Sequence, residues 1–187
     1  MADPLLSAVK ALQRGELVVY PTDTLWGLGA RATDRKAVAR LFEAKGRPTD
    51  APVSVLLSSL EEVEPLSELH EAQRAFLRRH LPGPFTAVLP PSPWARKRLS
   101  PLVLGPKGQI AVRIPDHPLA RELARRVGPL TATSANLHGQ PTELELDRVK
   151  AALGPSVAVY LDGEPAPHGS ASRVVDLTGP VPVVLRE

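Results

Sequence analysis

The chain has 187 residues, enough for one well-buried domain and too few for two full ones, and its 43% hydrophobic content is that of a globular protein. It has no apolar run of about 18 residues, which excludes a transmembrane helix, and Met1 to Leu5 lack the basic region of a secretory signal. The lack of cysteine excludes disulfides and thiol catalysis and fits a reducing, cytoplasmic location, and the net charge of +3 leaves the chain mildly basic.

From the N-terminus, residues 4–14 read as a helix with Leu5, Leu6, Val9 and Leu12 on one face, and residues 16–20 as a buried strand. Pro21 fixes the backbone and lacks a donor, so that strand stops there. Thr22, Asp23 and Thr24 then stand at its carboxyl end, where open α/β sheets bind ligands. An ordinary turn, with Asp23 and the threonines bonded to local backbone, accounts for the same residues. Gly27 to Ala32 match G-x-G-x-x-A in form. Six residues separate them from the strand, however, and Asp34 starts the next helix later, so they are not a dinucleotide fingerprint.

Asp34 reads as the N-cap of a helix through residue 44. Further strands are expected at 53–57, 85–89, 110–114 and 130–133, with a helix at 67–80. Asp116 is the expected cap of a helix ending near 127, and Thr142 of one through 153. Short strands follow at 157–160, 173–176 and 181–185. The pattern is one α/β domain over residues 1–187, built on a mostly open, mixed sheet.

Several standard sites are missing from the sequence. There is no Walker A loop and no G-x-S-x-G elbow, and His70, His80, His117, His138 and His168 lack metal-ligand spacing. No nucleophile–base pair is assembled, and no metal site is expected. Basic clusters such as Arg35/Lys36/Arg40/Lys45/Arg47, Arg74/Arg78/Arg79 and Arg96/Lys97/Arg98 fit phosphates, on a nucleotide or on RNA. Solvated helix faces balanced by acids carry the same pattern.

Four polar clusters recur at element ends. Lys45-Gly46-Arg47-Pro48 leaves two cations on a broken loop, although Lys45 also suits a helix C-terminus. Pro82-Gly83-Pro84-Phe85-Thr86 is a turn feeding a strand. Val112-Arg113-Ile114-Pro115 puts one cation inside an apolar strand, where it needs either a ligand anion or a carboxylate such as Asp23 or Asp176. Thr131-Ala132-Thr133-Ser134-Ala135-Asn136 runs a strand into small residues that let a ligand approach the backbone.

Taken in order, PTDTLWGLG, KGRP, PGPFT, VRIPDHP and TSAN, then Ser172-Arg173-Val174-Val175-Asp176 and Val184-Leu185-Arg186, resemble the YrdC/Sua5/TsaC family of threonylcarbamoyl-AMP synthases. The resemblance runs from about Gly15 to Arg186, and to the short, single-domain form. It implies a twisted open sheet with flanking helices and a basic concave face. It also implies an enzyme that joins L-threonine, bicarbonate or CO2, and ATP into threonylcarbamoyl-adenylate and pyrophosphate. The product would feed t6A modification of tRNA through a separate transfer complex, with Mg2+ accompanying ATP and RNA or tRNA meeting the basic face. By resemblance, Lys45 and Arg47 are the catalytic cations. Thr24, Arg113, Ala132 and Ser172 contact threonine. Arg47, Thr86, Ser134, Asn136, Thr142 and Arg186 contact the nucleotide, and Asp23 orients, with a general base as its alternative role. The chain departs from the family at Ala51, often Asn; at Leu56, near a frequent His; and at Arg173. A double-stranded or ribosomal RNA-binding module without catalysis is the competing class.

Overall fold

Asp34 caps its helix as the sequence implies: Oδ1 accepts from the backbone N–H of Lys36 and Ala37, each at 3.0 Å. The computed structural model describes residues 3–51, 53–163 and 169–187, so His168 lies outside the described residues. In chain order the elements are α1 (Pro4–Gln13), β1 (Val18–Tyr20), β2 (Gly27–Gly29), α2 (Arg35–Lys45), β3 (Ser54–Leu56), α3 (Glu71–His80), β4 (Phe85–Leu89), α4 (Pro93–Arg98), β5 (Ile110–Arg113), α5 (Pro118–Val127), β6 (Leu130–Ser134), α6 (Leu146–Leu153), β7 (Val159–Tyr160), β8 (Arg173–Asp176) and β9 (Val183–Arg186).

The strands form one open mixed sheet in the order β7-β1-β2-β6-β3-β5-β4-β8-β9. The pairs β1/β7, β3/β5 and β4/β8 are parallel and the others antiparallel. Strand alternation divides the apolar residues between two faces. Val18 and Tyr20 pack with Ala8, Leu12 and Leu123 of α1 and α5. Val19 joins Val38, Leu41 and Phe42 of α2 in the larger cluster.

The strand β2 is the main departure from the sequence reading, which took its glycines only as a formal motif. It pairs with both β1 and β6, with Tyr20 opposite Gly27. A Cβ at Gly27 would lie 2.8 Å from Tyr20 Cε2, and one at Gly29 2.6 Å from Tyr20 Cε1. The glycines are there because the Tyr20 ring lies against the β2 backbone. Its hydroxyl donates to the Thr131 carbonyl at 2.9 Å, and full burial pushes the phenol's pKa up.

Other boundaries shift for local reasons. The helix α3 starts at Glu71, because His70 and Gln73 form a reciprocal capping box. The helix α5 starts after His117, not Asp116, with Pro118 at its first position. The helix α6 starts at Leu146 behind Glu145, while Thr142 sits exposed in the preceding loop. The short helix α4, capped by Ser92, has no counterpart in the sequence reading.

Candidate functional site

The β1–β2 connection is buried throughout residues 21–26, so its polar groups need internal partners. Thr22 supplies most of them. Its hydroxyl donates to the Leu25 carbonyl at 2.6 Å and accepts from the N–H groups of Thr24 and Leu25, each at 3.2 Å. The resulting turn holds Asp23 and Thr24 against the end of β5. There Arg113 Nη2 donates to Asp23 Oδ1 at 2.5 Å and to Thr24 Oγ1 at 2.7 Å. Asp23 is 4% exposed and Arg113 8%. The pair meets through one nitrogen and one oxygen: among the described residues, Asp23 Oδ2 and Arg113 Nε have no hydrogen-bond partner.

Thr22, Thr24 and Arg113 line a cavity of about 360 Å³, together with Arg47, Ser172 and Arg186. Parallel pairing of β4 with β8 brings Thr86 beside Ser172, and their hydroxyls lie 2.8 Å apart. Arg186 donates from Nε and Nη2 to the Ser172 carbonyl at 3.0 and 2.7 Å. Partial burial, and then the nearby charge of Arg113, lower the Arg186 pKa. Arg47 follows the left-handed Gly46 that ends α2 and donates from Nε to the Ala51 carbonyl at 2.6 Å. Burial lowers its pKa as well. Thr86, Ala132 and Ser134 also border the cavity.

Lys45 is placed differently from Arg47 and is not among the cavity-lining residues. Its ammonium donates to the carbonyls of Ser134 and Asn136, both at 2.5 Å, and to Asn136 Oδ1 at 3.3 Å. Three acceptors thus face its three protons, and none of the three is a carboxylate. Burial first, and then Arg47, lower its pKa to about 8. Lys45 therefore ties the end of α2 to the exit of β6. Asn136 is drawn into this brace, accepting from Ser134 Oγ at 2.5 Å and donating from Nδ2 to the Gln140 carbonyl at 2.6 Å. Neither Asn136 nor Thr142 lines the cavity.

The structure also resolves the three departures. Leu56 is fully buried and forms apolar cavity wall, and Ala51 offers its carbonyl to Arg47. Arg173 alternates with the cavity-lining Ser172 and Val174, lies over the Phe85 ring at 5.7 Å and pairs with Glu187 at 2.5 Å. It adds no charge to the cavity lining. The sequence reading missed Trp26, whose indole N–H donates to the Leu144 carbonyl at 2.7 Å, and the hairpin carrying Gly105, Pro106 and Gln109 at the cavity edge. The clustered glycines and proline of that hairpin were the available signal. Among the described residues, no three His, Cys, Asp or Glu side chains gather as a metal site.

An open mixed α/β sheet whose strand ends gather guanidiniums and hydroxyls around one cavity defines a binding domain for small anionic ligands. The chain belongs to the Sua5/YciO/YrdC family, whose model, described as "Telomere recombination", matches residues 10–187. A Mycobacterium tuberculosis relative is 42% identical over 183 residues, which make up 97% of this chain and 82% of that protein. The threonylcarbamoyl-AMP synthase of Chromohalobacter salexigens is 39% identical over 178 residues, 94% of each chain. The crystal structure of Pyrococcus abyssi Sua5 complexed with L-threonine is similar with a TM-score of 0.90 at 37% identity. That match covers 97% of this chain and 53% of the archaeal one, so the chain spans about half of that protein's length. Among the described residues, no helix is long and apolar enough to cross a membrane.

Proposed function

We propose that this protein is a threonylcarbamoyl-AMP synthase. It would make threonylcarbamoyl-adenylate and pyrophosphate from L-threonine, bicarbonate or CO2, and ATP, and so serve t6A formation on tRNA in the cytoplasm. The observation that carries this reading is the charge of the cavity. Arg47, Arg113 and Arg186 line it, and among the described residues no Asp or Glu does. Asp23, behind Arg113, offsets one of the three charges. Such a cavity favours ligands carrying two or more negative charges.

The chemistry needs such a site. The threonine amine takes up CO2 to give an N-carboxylate, and an oxygen of that group attacks the α-phosphorus of ATP as pyrophosphate leaves. Both reactants are anions, and fixed guanidiniums hold them together without a covalent nucleophile. The positions of Thr24, Arg113, Ala132 and Ser172 support a threonine subsite. Those of Arg47, Thr86, Ser134 and Arg186 support a nucleotide subsite. Lys45 and Asn136 are better supported as a brace for Ser134 than as ligand contacts, and the exposed position of Thr142 lends it no support. Mg2+ enters with ATP, as part of the substrate. A module that only binds RNA has no use for hydroxyls and guanidiniums converging inside a cavity. The exposed Arg96, Lys97 and Arg98 form no ion pair among the described residues, which supports RNA contact at that face as an adjunct. Hand-over to a transfer complex belongs to the same proposal.

Pyrophosphate release from ATP, with threonine and bicarbonate omitted in turn, tests the reading. Release should require both. Undiminished release without threonine would replace it with a simple ATP pyrophosphohydrolase.

A further inference from the structure

We infer that Ser54 is a specificity-determining residue: its hydroxyl hydrogen-bonds the side-chain hydroxyl of the amino-acid substrate. The inference rests on the proposed function and adds a residue that the threonine subsite above does not include.

Sheet order brings Ser54 to the site. The strand β3 lies between β6 and β5. Ser54 pairs with Ala132 of β6, and Leu56 with Arg113 of β5. A ligand that touches both Ala132 and Arg113 therefore lies across β3. Of the three residues of β3, Ser54 and Leu56 line the cavity and Val55, on the opposite face, does not. Leu56 is apolar and fully buried, so Ser54 is the one polar side chain that β3 offers to such a ligand. Its in-sheet neighbours are alanines: Ala132 on one side and, continuing the β3/β5 register by one residue, Ala111 on the other. Both line the cavity, and both present only methyl groups beside the Ser54 hydroxyl.

Ser54 is half-buried, and among the described residues its hydroxyl has no hydrogen-bond partner. The other hydroxyls at the cavity are engaged. Thr86 pairs with Ser172, Ser134 with Asn136, Tyr20 with the Thr131 carbonyl and Thr22 with the Leu25 carbonyl, while Thr24 accepts from Arg113. Thr133 borders the cavity too, but alternation turns its side chain to the face of Thr131, whose hydroxyl accepts from the Ala30 N–H. Charge sorts the groups of the substrate. Its carboxylate belongs with the Arg113 guanidinium. Its nitrogen carries the N-carboxylate, which must reach the α-phosphorus and so points toward Arg47, Ser134 and Arg186. The side chain is left over β3. Its hydroxyl proton needs an acceptor, which a guanidinium lacks and a serine hydroxyl supplies. A site built to bond that hydroxyl separates threonine from 2-aminobutyrate, which has the same chain without it.

The test compares wild type with Ser54→Ala by pyrophosphate release, reading the KM for threonine, the KM for ATP and the inhibition constant of 2-aminobutyrate. A third alanine in the row Ala132, Ser54, Ala111 deletes the hydroxyl and little else. The threonine KM should rise roughly three- to tenfold, the worth of one neutral hydrogen bond, while the ATP KM and the 2-aminobutyrate constant stay within about twofold. Comparing two amino acids on one protein cancels any general loss of activity. An unchanged threonine KM, an equal rise for both amino acids, or a rise confined to the ATP KM would overturn the inference. If Ser54→Ala does not fold, Ser54→Gly is measured in the same way. Wild type that lacks threonine-dependent release would defeat the proposed function instead, so the two failures are distinct.

Discussion

Arg113 Nη2 and Asp23 Oδ1 meet at 2.5 Å beneath the cavity, joining residues 90 positions apart in the chain. The strand β5 supplies the cation and the β1–β2 turn the anion. Both side chains are nearly buried, so each depends on the other to offset its desolvation.

Removing either partner should therefore be costly. Arg113→Met strands a buried carboxylate, and the apo protein should lose about 3–5 kcal/mol in denaturant unfolding. Asp23→Asn combined with Arg113→Met should recover most of that loss, because no uncompensated charge remains. Synthesis should be abolished in both. Normal apo stability in the single variant would mean that the pair contributes nothing to the fold.

Lys45 predicts a pH dependence. Its pKa in the folded protein is lowered to about 8, from the ordinary 10.5 of the unfolded chain. Between those values the unfolded chain binds more protons, so this residue's contribution to stability rises with pH. It is fully present above the unfolded value and is lost as pH falls through 8. The stability of wild type relative to Lys45→Met should increase from pH 7.5 to pH 9.5, two points chosen on either side of about 8. Urea unfolding of both proteins at the two pH values gives the sign; a constant difference would show that Lys45 keeps its ordinary pKa.

Gly29→Ala should destabilise the protein although it adds only a methyl group. That methyl would sit 2.6 Å from Cε1 of the Tyr20 ring, which is fully buried. Overpacking of this kind costs about 1–3 kcal/mol. Gly139→Ala, where nothing lies within 4 Å, separates this steric term from backbone effects, since its φ of +76 carries its own strain. Thermal unfolding of both variants, with intact β2 pairing checked by amide exchange, decides between collision and simple loss of glycine flexibility.

Much of the site was legible because its signals are short-range. Pro21 ends β1, Asp34 caps α2 and Gly46 closes it, each acting within a few residues of itself. Eight expected contact residues that line one cavity, among them Thr24, Arg47, Thr86, Arg113 and Arg186, could be placed at strand and helix ends in this way. The strand β2 was hidden because its three residues, Gly-Leu-Gly, show no strand pattern alone; the Tyr20 ring across the pair selects them. The start of α6 was misplaced because Thr142 is a good cap by type, whereas the chain remains in a loop through Glu145.

The sequence by itself determined the class of sheet, the order of the polar clusters and the family, because local hydrogen bonding and strand alternation write those features into neighbouring residues. Only the tertiary structure decided which polar groups face one another. Lys45 and Arg47 stand two residues apart, yet one braces the Ser134 carbonyl 89 positions away and the other lines the cavity. The choice of Asp23 rather than Asp176 as the partner of Arg113 likewise depends on the sheet order, which puts β8 on the far side of β4 and brings the β1–β2 turn to the end of β5. No local signal encodes that order, because it follows from pairing between strands that lie far apart in the chain.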